Sequence, residues 1–244
     1  MKPVYRIIMA MTLLTAVSIP VYAGFFDDIT SVLGSATGGS ASSLDDSTIA
    51  KGLKEALATG TTRAVNAVSQ QNGYFNNDMI KILMPEKVRS TADLLGKFGF
   101  QKQVDDFVLS MNRAAEKAAP KAAEHFTTAL KAMTFEDARA ILQGDATSAT
   151  RYFRQKTGER IYADFKPVVV SNMKDVGVAK NYKQMTDKIE AIPFAGAVGT
   201  FDLDHYVTTK AVDGLFSMLG EEEKKIRTNP AARGTELLKK VFGK

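Results

Sequence analysis

Residues 204–227 read DHYVTTKAVDGLFSMLGEEEKKIR, and this stretch decides the fold. Val207, Ala211, Leu215 and Met218 recur at helical spacing on one side, while Val212, Phe216 and Leu219 cover the neighbouring side. The apolar surface is thus wider than the single stripe of a surface helix. A helix hidden on more than one side needs other helices around it. The spacing therefore predicts an all-α, single-domain, multi-helix bundle around a central helix from Asp204 to about Leu219.

The central helix carries its own boundary signals. Asp202 is placed to accept hydrogen bonds from the free amides of the first turn, and Asp204 suits the positive end of the helix dipole. Farther on, the run Glu221, Glu222, Glu223, Lys224, Lys225 sets opposite charges three or four residues apart, which predicts a solvated last third stopped by Asn229 and Pro230. Lys210 and Asp213 are spaced to pair along the helix. Gly214, at about 1 kcal/mol of helix propensity against alanine, predicts close helix packing.

Working outward, the connection AIPFAGAVGTF at 191–201 is apolar and punctuated by Pro193, Gly196 and Gly199. It reads as a buried crossover, with a lid over an apolar pocket beside the central helix as the second reading. Beyond Pro230, the residues Leu237, Leu238, Val241 and Phe242 predict a terminal helix.

Upstream, Asp45 or Asp46 caps a helix through Ile49, Leu53, Leu57, Ala64 and Val65 that Asn72-Gly73 ends with a turn. Ile80, Ile82 and Met84 alternate with Lys81 and Leu83 and hint at one short extended segment, too little for a sheet. Helical spacing returns in Val88, Ala92, Leu94, Leu95 and Phe98 and stops at Gly99. Val104, Phe107, Val108, Met111 and Ala115 mark one helix, and Ala122, Phe126, Ala129, Leu130 and Met133 the next, with Pro120 between them. Thr134 and Asp137 form a capping box for a short helix ending at Gly144. A short helix around Tyr152 and Phe153 and a further one bent near Pro167 follow, and Tyr182, Met185 and Ile189 continue in helical spacing.

The N-terminus reads as an export signal over residues 1–23: Lys2 and Arg6 are its charged part, 7–17 its apolar part and Val21-Tyr22-Ala23 its cleavage site. Residues 24–44 are a short segment and a Gly/Ser-rich linker, and the helical domain spans 45–244. The expected location is the periplasm, with membrane contact allowed but no integral anchor after cleavage. The chain has no cysteine, which excludes disulfides and thiolate chemistry. Loss of Lys2 and Arg6 takes the net charge from +5 to +3, which argues against a nucleic-acid partner.

Several segments in order resemble one family: GLKEAL from Gly52, GYFNN from Gly73, DDFVLSMNRAAEKAAPKA from Asp105, DARAIL from Asp137, ATRYFRQKT from Ala149, YVTTKAVDGLF from Tyr206 and NPAARGTELLKKVFG from Asn229. Together they resemble the bacterial exported family catalogued as domain of unknown function 4197. The resemblance implies an exported helical domain and supplies no catalytic residues.

Catalytic motifs are absent. His125 and His205 lack the paired spacing of a zinc hydrolase, and no nucleophile elbow, phosphate loop or dinucleotide fingerprint occurs. No metal or cofactor is expected. Glu221 to Glu223 read as solvated charge, His125 as a packing or surface residue, and His205 as part of a capped first turn. Asn112, Arg113, Tyr152 and Arg154 are polar residues on apolar helices and are candidates for a cluster facing Lys210 and Asp213. The expected function is a noncatalytic binding or interaction module. Its expected partner is an amphipathic small anion or the tail of a periplasmic protein, met by Arg113, Tyr152, Arg154, Tyr206, Lys210 and Asp213. The alternative is an unusual hydrolase using His205 and nearby carboxylates.

Overall fold

The computed structural model describes residues 46–175, apart from 87, 88, 90, 91, 94 and 95, together with 202–229. All belong to the second of two compact units, Leu44–Lys244. The export signal, the 24–44 segment, the 191–201 connection, the helix through Tyr182, Met185 and Ile189, and the terminal helix lie outside the described residues.

Among the described residues there are six α-helices and no strand: α1 (Asp46–Ser69), α2 (Gln101–Ala118), α3 (Ala122–Ala132), α4 (Phe135–Gln143), α5 (Ser148–Asp175) and α6 (Leu203–Thr228). The all-α reading holds, and α6 packs against α5, α1 and α2. Val207, Ala211, Val212, Leu215, Phe216 and Leu219 are buried, and Asp202 caps the helix by accepting the His205 amide at 2.9 Å. Phe126 of α3 stands edge-on to Phe153 of α5, with ring centres 5.3 Å apart, and to Phe216 of α6 at 5.9 Å. These three rings join three helices at the centre of the core, in the geometry that ring quadrupoles favour.

Other boundaries follow their local chemistry. Pro120 sits in a 3-10 turn, Ala119–Lys121, between α2 and α3. Thr134 and Asp137 make both bonds of the capping box of α4, at 3.1 Å each. Gly99 stops the preceding helical turns with φ of +86°.

Two expectations are corrected. Residues 148–175 form one helix rather than a short helix followed by a bent one. Ala149, Phe153, Thr157, Ile161, Phe165, Val169 and Met173 recur every four residues, and all are buried, so one uninterrupted stripe holds the helix to the core. Thr157 broke the apolar pattern in the sequence, but its hydroxyl is satisfied within the helix by the Phe153 carbonyl at 2.7 Å. Pro167 is exposed, as is Ala163, whose carbonyl loses its usual donor, so water can take that bond and the helix runs on.

The last third of α6 is not a solvated charge run. Glu222 and Glu223 are only 8% and 4% exposed. The Glu223 carboxylate accepts the amides of Ala149 and Thr150 at 2.9 and 2.8 Å and the Thr150 hydroxyl at 2.8 Å. It thereby satisfies the free donors at the start of α5. Arg227 donates to the same carboxylate at 3.0 Å and, through Nη2, to the Ile141 carbonyl at the end of α4 at 2.7 Å. One buried ion pair thus closes two helix ends.

Candidate functional site

The candidate site is built on the ribbon of 70–85 that follows α1. Asn72 takes φ of +68°, and a Cβ on Gly73 would collide with the Ala67 carbonyl, so the Asn-Gly turn is set by backbone geometry. The turn sends Tyr74 into the core. Its hydroxyl donates to the Ala211 carbonyl of α6 at 2.6 Å, and its ring lies where a Cβ on Gly214 would be 2.6 Å from Cε1. Gly214 therefore does permit a close approach, by an aromatic ring rather than a helix. Burial, with the nearby Glu116 charge, pushes the Tyr74 hydroxyl far above its usual range and keeps it a neutral donor.

Helix α2 holds this ribbon with side chains. Buried Glu116 accepts the amides of Tyr74 and Phe75 at 3.1 and 3.3 Å and pairs with Arg113 at 2.6 Å, while Arg113 also donates to the Asn72 side chain at 2.7 Å. Asn112 receives the Ile82 amide at 2.9 Å and returns a bond to the Ile82 carbonyl at 2.9 Å. A side-chain amide thus treats Ile82 as a neighbouring strand would, with both backbone groups of one residue bonded on one side. Around it Ile80, Ile82 and Met84 are buried, Lys81 is half-buried and Leu83 is exposed, so the alternation read in the sequence is present without a sheet.

Replacing Asn112 with leucine would strand the buried Ile82 amide and carbonyl. The expected loss is about 2 kcal/mol in urea unfolding, from buried groups left without partners. A loss within error of zero would show that water reaches Ile82.

Between the ribbon and the first turns of α6 lies a half-open cleft of about 560 Å³. Its apolar surface comes from Met79, Ile80, Leu83, Met84 and Pro85, and its charges are Lys81, Glu86, Arg89, Lys210 and Asp213. Tyr206 closes one side, its hydroxyl donating to the Leu83 carbonyl at 3.0 Å, and burial raises its pKa. Arg89 pairs with Glu86 at 2.9 Å, and Asp213 pairs with Arg154 at 2.9 Å. Lys81 lies 4.1 Å from the centre of the Phe75 ring, and Lys210 lies 5.9 Å from that of Tyr206. Among the described residues neither lysine meets a carboxylate. Met79 and Leu83, 55% and 50% exposed, are two of the three exposed large hydrophobic residues there, so open apolar surface is concentrated at this cleft.

Of the six residues expected at a site, Tyr206, Lys210 and Asp213 line the cleft, and Arg154 joins through Asp213 while its guanidinium lies 4.7 Å from the Phe216 ring. Lys210 does not pair with Asp213 as the spacing predicts; Arg154 of α5 takes that carboxylate. Arg113 and Asn112 are not part of this cluster, because the ribbon engages both. Tyr152 is also elsewhere, donating to the Ala129 carbonyl at 3.2 Å. The ribbon residues Met79, Lys81 and Leu83, and Arg89 beyond the ribbon, were not among the six, although the apolar character of 80, 82 and 84 is the signal that turns 79, 81 and 83 outward.

Among the described residues the ring of each histidine meets one polar side chain. The His205 ring nitrogen lies 2.7 Å from the Tyr162 hydroxyl, Asp202 is engaged by the His205 backbone amide, and His125 contacts Asp164 at 2.8 Å. Among the described residues no three His, Cys, Asp or Glu side chains are grouped to hold a metal. A family model described as protein of unknown function (DUF4197) matches residues 43–243. No curated protein and no solved structure matches the chain.

Proposed function

Because the chain belongs to the family of proteins of unknown function DUF4197, we propose its activity from the cleft alone: a noncatalytic binding module for an amphipathic anion. The observation that carries this reading is the exposed Met79 and Leu83 beside Lys81 and Lys210, neither of which meets a carboxylate among the described residues. Apolar surface of this kind gains by being covered, and two lysines that meet no carboxylate among the described residues favour a negative group in the same ligand. A volume of about 560 Å³ suits such a molecule. The signal-like pattern through Ala23 supports export and a periplasmic location. No helix among the described residues is long and apolar enough to cross a membrane.

Delipidated protein should bind fluorescent dodecanoate, a fluorescent lysophospholipid, or an acidic apolar peptide with a dissociation constant that rises with salt. Lys210→Ala should weaken binding about five- to tenfold at unchanged folding, consistent with loss of one charge-assisted contact. If no probe binds, or if Lys210→Ala and Leu83→Asp both bind as wild type does, the cleft is not a binding site.

A further inference from the structure

On the ribbon wall of the cleft, Lys81 donates its amide back to the Asn77 carbonyl at 2.8 Å, which closes the preceding turn. Asn112 satisfies both backbone groups of Ile82 on the inner side. In an extended backbone the groups of Lys81 and Leu83 then point to the opposite side. There the Tyr206 hydroxyl takes the Leu83 carbonyl. The Leu83 N–H and the Lys81 carbonyl have no hydrogen-bond partner among the described residues. In a parallel pairing, the carbonyl of one residue and the amide two residues on bracket a single residue of the incoming strand. The available pair on this edge is therefore the one a parallel strand needs, while the Tyr206 bond obstructs the antiparallel alternative at Leu83.

We infer that the ligand of the cleft is an extended polypeptide that adds beside 81–83 as a parallel strand, with an acidic residue beside Lys81 and, two positions on along the same face, an apolar residue beside Leu83. This deepens the binding reading above and rests on it. Main-chain bonds would supply affinity, and the side chains of alternate residues would be read by the two kinds of surface present. Met79, Leu83 and Met84 offer the apolar contact, and Lys81 and Lys210 face acidic side chains from opposite walls. The half-open shape favours a peptide over an acyl chain, since sites for small apolar ligands enclose most of the ligand's surface. The wall is also held before binding by Asn112, Glu116 and Tyr206, which limits the ordering cost of association.

The test uses a fluorescein-labelled hexapeptide with a glutamate and, two residues on, a valine among threonines, read by anisotropy against the full chain. A matched valine–lysine peptide and fluorescent dodecanoate are the controls. N-methylation of the hexapeptide, one residue at a time, should weaken binding about tenfold where the amide pairs with the Lys81 carbonyl and little at the neighbouring positions. Leu83→Pro removes the unbonded amide of that residue together with its side chain, and Leu83→Ala, which keeps the amide, is the control. The proline variant should keep wild-type melting and bind the peptide about tenfold or more weakly than the alanine variant does. Should it unfold, the N-methyl scan still decides the matter. Uniform tolerance of N-methylation, or equal binding of the lysine peptide, would overturn strand addition. Dodecanoate binding that Lys210→Ala weakens, with no peptide binding, would overturn it while leaving the binding module standing. If peptide and dodecanoate both fail to bind, both readings fall.

Discussion

Phe216→Ala is expected to cost about 3–5 kcal/mol of stability, the range for a fully buried phenylalanine truncated to alanine. Phe216 is 1% exposed at the centre of α6 and meets the edge of Phe126, which itself meets Phe153. Truncation removes the apolar area of the ring, leaves a cavity among residues of three helices, and deletes the surface over which Arg154 lies at 4.7 Å. Those helices are held by other contacts, so they cannot collapse fully into the space. Urea unfolding of the purified variant measures the effect. A loss below about 1 kcal/mol would be incompatible with a core centred on this ring.

Glu223→Ala is expected to be comparably severe, at about 3–5 kcal/mol, because it removes one partner of a largely buried pair and the acceptor of two amides at the start of α5. The amides of Ala149 and Thr150 would lose their acceptor, and Arg227, which also serves the Ile141 carbonyl, would lose the Glu223 carboxylate. Unfolding of Glu223→Ala, Arg227→Ala and the double variant forms a cycle. The double variant should be less damaged than the sum of the singles, since it buries no lone charge. Strict additivity, with each single loss below about 1 kcal/mol, would mean that the pair is hydrated and structurally idle.

The central helix was legible because Val207, Ala211, Leu215 and Phe216 state their burial in their chemistry. Caps were legible for the same reason: Asp202, Thr134 and Asp137 do their work within a few residues of where they stand. Glu223 was not, since a carboxylate beside Glu221, Glu222 and two lysines looks solvated unless one knows that the start of α5 arrives against it. Its partners Ala149 and Thr150 lie more than seventy residues away, and helical periodicity carries no information at that range. The site divides in the same way. Tyr206, Lys210 and Asp213 share one helix and line one cleft, whereas Arg113 lies apart from it because its partners, Glu116 and Asn72, include one from a distant turn. Lys81 and Leu83 were overlooked because the cleft exists only where two distant segments meet.

The ribbon also has a place in time. A helix closes its hydrogen bonds with residues four positions away, but Tyr74 waits for Glu116, Ile82 for Asn112, and the Tyr74 hydroxyl for Ala211, at separations of 42, 30 and 137 residues. Contacts so far apart in sequence form late, after the loop entropy between them has been overcome. Helices α1 and α2 can take shape locally while the chain between them remains unsettled, and its last anchors come only with α6. The cleft accordingly needs α6 in place, since a chain ending before residue 203 would lack the wall that carries Tyr206, Lys210 and Asp213.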